Sequence, residues 1–175
     1  MKIRLVLLNI LLIGLISCGG DTPKDVDQTD KKEQQQPLIT AKAIEQFKFN
    51  DYVLSLDGEK AVENWEKYQE LSIQIGYLRK ADLSFFIGEK EMLKEFINKF
   101  VDEIPEELSQ NPIFSRVAIV QTTVLRLNEN LALDNIGESM KLEGVKEVLI
   151  AFSNLNYQIN KKLERDKYDK IKSEY

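Results

Sequence analysis

Residues 113–131 constrain the fold more than any other stretch. Ile113, Val117, Val120, Val124, Leu127 and Leu131 recur in alternating steps of four and three, directly after Pro112. Such steps line up along one side of an α-helix and form a seam that must be buried against other helices. Proline is tolerated in a first helical turn and nowhere deeper, so Pro112 marks where this helix begins. No proline follows it, and the remaining 63 residues are free to be helical apart from the break expected at Asn135-Ile136-Gly137.

The same periodicity recurs on both sides. Ala61, Trp65, Tyr68, Leu71, Ile75 and Leu78 share one face of a helix expected from about Gly58 to Lys80, with Asp57 as its N-cap and Glu59 in its first turn. Gly88 marks a turn; Phe86, Leu93, Phe96, Ile97, Phe100 and Ile104 stripe a second helix that Pro105 stops. A last helix carries Val145, Val148, Leu149, Phe152, Leu155, Ile159 and Leu163, then continues into the charged tail NKKLERDKYDKIKSEY, read as a solvated helix end. Thr40–Asn50, with Ile44 and Phe47, predicts one short extra helix, and Ile150 and Tyr157 on the back of the last helix offer it or a partner a packing surface. The expected fold is therefore all-α: an antiparallel four-helix bundle over residues 38–175, preceded by that short helix.

The residue inventory narrows the chemistry. Of 175 residues 43% are hydrophobic, enough for one core, but there is one cysteine and no histidine. No imidazole base, Ser-His-Asp triad, histidine-ligated metal, intramolecular disulfide or cysteine zinc site can be assembled from such a chain. Acidic neighbours such as Glu89/Glu91 and Glu106/Glu107 lack the alternating oxygen ligands of a calcium loop and read as solvated faces. The expectation is no catalysis, no metal and no cofactor.

The lone cysteine has a different context. Lys2 and Arg4 precede an apolar run, Leu5–Ile16, of about 12 residues, well short of the roughly 20 a membrane-spanning helix needs. The run ends in Leu15-Ile16-Ser17-Cys18. This arrangement resembles the signal of bacterial lipoproteins, whose lipobox places Leu at −3 and a small residue at −1 of an essential Cys. The resemblance implies cleavage between Ser17 and Cys18, removal of residues 1–17 and fatty acylation, palmitate included, at Cys18. Two or more acyl chains anchor a protein firmly.

Residues 18–37 after the leader contain Val26 as their only aliphatic residue and no aromatic one. They cannot bury enough apolar surface to offset ordering entropy, so a disordered linker is expected. Asp21, Asp25, Asp27 and Asp30 make it acidic, loosely similar to lipoproteins of the Bacteroidetes type; outer membrane is favoured over inner, on either the periplasmic face or the cell surface. Beyond these residues the chain resembles only uncharacterised helical envelope lipoproteins. Loss of residues 1–17 removes two of the 24 basic residues and none of the 29 acidic ones, leaving a formal charge of −7. That excess of negative charge disfavours nucleic acid as a partner.

Polar residues within the apolar stripes are the remaining candidates for a site. Asn64, Tyr68, Ser72 and Arg79 lie on the core arc of the first helix, Arg116 and Thr123 on the third, Asn156 on the fourth. Folding about residue 137 is expected to bring Thr123 level with Asn156, and Arg116 level with Asn160. Tyr68, Ser72, Thr123 and Asn156 would then form one polar layer, either a pocket for a small polar ligand or a hydrogen-bonded device that fixes helix register. Two functions follow as expectations: a lipid-anchored envelope protein that binds a protein partner as accessory, adaptor or inhibitor, or a bundle that binds a small ligand or metal through the polar layer.

Overall fold

A computed structural model describes residues 39–174, and within them the protein is all-helical, with no strand. The leader, the linker, the cleavage position Ser17 and the lipidation position Cys18 lie outside the described residues. In chain order the helices are α1 (Ala41–Glu45), α2 (Leu56–Ala61), α3 (Glu66–Leu78), α4 (Ser84–Ile87), α5 (Lys90–Asp102), α6 (Asn111–Ala132) and α7 (Glu138–Ser173); a 3₁₀ turn, Glu106–Leu108, precedes α6. No helix among them is long and apolar enough to cross a membrane.

The stripes read from the sequence form the core. Trp65, Leu71, Leu78, Phe86, Ile97, Phe100, Ile113, Leu127, Leu149, Leu155 and Ile159 are all fully buried. Helices α6 and α7 make the most extensive contact, running antiparallel around the turn at 133–137. Arg126 meets Glu147 at 2.6 Å, and Gly144 lies against Leu127. Helix α5 crosses α6 with Lys90 at Glu129 and Gln121 at Asn98, again antiparallel. Trp65 stacks on Phe100, with ring centroids 4.9 Å apart, and joins α3 to α5; Tyr68 stacks on Phe152 at 5.3 Å and joins α3 to α7.

Several expectations are corrected. The helix predicted as continuous from Gly58 to Lys80 is broken at Val62–Trp65, because tertiary bonds hold Trp65 out of helical geometry. Its indole Nε1 donates to the Phe100 carbonyl at 2.8 Å. The Glu103 carboxylate, arriving from the end of α5, accepts from the Lys67 amide at 2.9 Å and caps the new helix start. The Val62 carbonyl accepts from the Trp65 amide at 3.0 Å and from Gln69 Nε2 at 2.9 Å, which closes the break. Asn64, expected on the core arc, sits exposed in this break. The cap of α2 is Ser55, whose hydroxyl accepts from the Gly58 amide; Asp57 instead occupies the first turn and pairs with Lys167. Phe86 belongs to the separate short α4, pinned by Asn128 Nδ2, which donates to the carbonyls of Phe86 and Gly88 at 2.8 and 2.9 Å.

Helix α3 ends at Leu78, and the chain turns through Arg79 and Lys80. Ala81 adopts φ 64°, its amide bonds to the Leu78 carbonyl, and the Asp82 amide bonds to the Tyr77 carbonyl. This is a Schellman closure with alanine where glycine is usual.

Candidate functional site

The polar residues assemble around a segment with no regular structure. Residues 50–55 lie along α7 as a strap, and α7 presents Ser153, Asn156 and Asn160 to it, in steps of three and four. The Ser153 hydroxyl accepts from the Tyr52 amide at 2.7 Å and donates to the Asn50 carbonyl at 2.8 Å. Asn156 Nδ2 donates to the Tyr52 carbonyl at 3.1 Å. Asn160 donates to the Val53 carbonyl at 2.8 Å and accepts from the Ser55 amide at 2.9 Å. One face of a helix thus supplies the partners that a neighbouring strand would give an extended chain.

Tyr68 enters this system from α3. Its hydroxyl donates to Asn156 Oδ1 at 2.7 Å. Burial pushes the phenol well above its usual ionisation range, and the nearby charge of Glu59 adds to the rise. Tyr68 is therefore a neutral donor at any physiological pH.

Above this pair opens a solvent-accessible groove of about 800 Å³, its walls formed by the strap, α2 and α3, with Tyr68 and Asn156 in its floor. Ser72 stands in its wall, and Glu59, Lys60 and Glu63 give it charge of both signs. Val53 and Leu56 line it too, each 77% exposed.

Three of the four predicted layer residues thus meet, and the fourth does not. Thr123 is buried, but its hydroxyl bonds back to the Ile119 and Val120 carbonyls of its own helix. The expected register is displaced: the pairing of Arg126 with Glu147 and of Leu127 with Gly144 sets Thr123 level with the turn around Ile150. By the same register the half-buried Arg116, rather than Thr123, lies level with Asn156. Arg79 is tied to Asp51 at 2.8 Å, outside the layer. Ile150 is half-buried and α1 packs on α7, while the ring of Tyr157, still exposed, lies 4.6 Å from that of Tyr52 in the strap.

Ser153 and Asn128 carry no expectation from the sequence, and Asn160 is expected only level with Arg116, not as part of the polar layer. Ser153 and Asn160 share the arc of Asn156 at helical spacing, which is a legible signal. Asn128 follows Leu127 on the seam and had none.

Among the described residues no group of three or more acidic or sulfur side chains gathers as a metal site, and every buried polar side-chain atom has a hydrogen-bond partner. No family model, curated protein or solved structure matches this chain. What it does has to be read from its own residues.

Proposed function

We propose that this is a lipid-anchored envelope protein that works without catalysis, by binding a protein partner in the groove between the strap, α2 and α3. The anchor is Cys18, and the outer membrane is the favoured site. The scaffold is best described as an antiparallel bundle of the four longer helices, α3, α5, α6 and α7, with α1, α2 and α4 as short additions.

The observation that carries the binding role is the pairing of two nearly bare aliphatic side chains, Val53 and Leu56, with a groove whose polar floor is already satisfied. Fully burying one aliphatic side chain is worth about 1.5–3 kcal/mol, so covering both supplies roughly 3–6 kcal/mol toward association. A protein segment covers such a mixed apolar and charged rim well. A small polar ligand is a second reading, supported by a volume within the range of ligand pockets. Its partners would be the Ser72 hydroxyl in the wall and the already bonded Tyr68 and Asn156.

The test is capture from envelope extract with the domain following Cys18, beside a Val53→Ser/Leu56→Ser variant with an unchanged dichroism spectrum. A partner held by the first and lost by the second supports the reading; equal capture by both refutes it. Loss of binding on Tyr68→Phe alone would favour the small ligand. For the anchor, Cys18→Ala should abolish palmitate incorporation and release the protein from membranes, and unchanged fractionation would sink that part.

A further inference from the structure

The far side of α7 carries a second stripe that the groove does not use. Tyr157, Lys161, Glu164, Tyr168 and Ile171 follow one another in steps of four, three, four and three, and all are exposed. At 100° per residue they lie opposite Ile159 and Lys162, which face the domain. The stripe is about 21 Å long at 1.5 Å per residue. Within it Tyr157 and Tyr168 bracket a notch of about 560 Å³ that Lys161 and Glu164 cross as an ion pair at 2.6 Å.

The order of these residues is self-complementary. When two copies of the helix are laid antiparallel about a two-fold axis between Lys162 and Leu163, Lys161 faces Glu164 of the other copy, and Tyr157 faces its Tyr168. Each contact then occurs twice, as an isologous interface requires. No like charges fall level with one another: Gln158 is level with Lys167, Asn154 with Ile171, and Arg165 with Asn160, which is turned to its own strap. A parallel arrangement would instead set Lys161 against Lys161 and Glu164 against Glu164. The Tyr52 ring, already against Tyr157, widens the aromatic surface offered to the second copy.

We propose that this face of α7 is a homodimer interface, in which two copies pair antiparallel through Tyr157, Lys161, Glu164 and Tyr168. A stripe of this length buries less than a standard interface, so the dimer is weak and concentration-dependent.

Charge exchange tests it. The full chain, purified in a mild detergent, is followed by sedimentation equilibrium, with co-isolation of differently tagged copies. Wild type should dimerise. Lys161→Glu and Glu164→Lys should each dimerise about tenfold more weakly, since each sets like charges together at two equivalent contacts. An equimolar mixture of these two variants should regain wild-type association, because only the mixed dimer restores both pairs; the double variant should regain it as well. A wild type that stays monomeric, single variants that associate as well as wild type, or a mixture no stronger than its components would each overturn the proposal. Dichroism checks the fold. Should either charge variant unfold the tail, Tyr168→Ala must still weaken association, and no effect there refutes the interface.

Discussion

Removing the Asn156 side chain is the most informative perturbation of the polar system, because it serves two partners that behave differently when abandoned. In Asn156→Ala the Tyr68 hydroxyl, on a side chain only 3% exposed, loses its one protein acceptor. An unsatisfied buried donor costs about 1–3 kcal/mol. The Tyr52 carbonyl loses a bond in a part-buried setting, which adds about 1 kcal/mol. The expected destabilisation is thus about 2–4 kcal/mol, against about 1 kcal/mol for Tyr68→Phe, where the abandoned Asn156 oxygen borders the groove. Combined, the two substitutions should cost less than their sum by roughly 1–2 kcal/mol, because the double variant has no orphaned hydroxyl. Urea unfolding followed by fluorescence measures this directly, since Trp65 is the only tryptophan and is fully buried. Additive costs, or an Asn156→Ala cost under about 0.5 kcal/mol, would refute the reasoning. The pair would then be uncoupled, and its polar atoms free for a ligand.

Four further outcomes follow from local structure. A methyl group at Gly76 meets nothing within 4 Å on the exposed face of α3, so Gly76→Ala should stabilise by about 0.5–1 kcal/mol. One at Gly58 would lie 2.8 Å from Asn160 Oδ1, so Gly58→Ala should displace the strap and destabilise despite the gain in helix propensity; urea midpoints of the two should move in opposite directions. Ala81, at φ 64°, should accept glycine with a gain of about 1 kcal/mol, and a loss on Ala81→Gly in thermal unfolding would contradict the Schellman closure. Tyr68 should resist ionisation in a spectrophotometric titration. Its folded pKa lies above the unfolded value near 10, so the unfolded chain releases its proton first as pH rises. The stability it contributes is complete below pH 10 and falls above it, by up to about 1.4 kcal/mol per pH unit, and Tyr68→Phe should remove that slope.

The long helices were legible because their periodicity is a direct record of burial. Every member of the Ile113–Leu127 seam is fully or almost fully buried, and the stripes of α3, α5 and α7 occupy the positions their spacing implies. The break at Val62–Trp65 was not legible. Ala61, Trp65 and Tyr68 keep helical spacing across it, and what interrupts the helix is a carbonyl on Phe100 and a carboxylate on Glu103, both some 35 residues away. The cap failed for a narrower reason: Ser55 and Asp57 are both good N-caps, and the choice went to the residue whose amide Asn160 also holds. Thr123 misled because a hydroxyl on a core arc can satisfy itself on its own helix, which spacing cannot distinguish from a cross-helix bond.

The polar arc of α7 shows where the search for a ligand from sequence goes astray. Asn and Ser amid apolar residues signal buried hydrogen-bonding capacity, and a ligand is only one of the things that can use it. Here the user is the protein's own chain. Residues 50–55 have neither helix nor sheet to satisfy their amides and carbonyls, and buried groups left unpaired would each cost about 1–3 kcal/mol. Ser153, Asn156 and Asn160 take up five backbone groups of the strap, from Asn50 to Ser55, three of them in part-buried bonds. With the floor's hydrogen bonds made to the strap and Tyr68, the wall offers mainly aliphatic surface and surface charge, beside Ser72 and Gln69. That is why the groove suits a protein segment better than a small polar molecule. The bond from Asn160 to the Val53 carbonyl holds Val53 in place beside that floor.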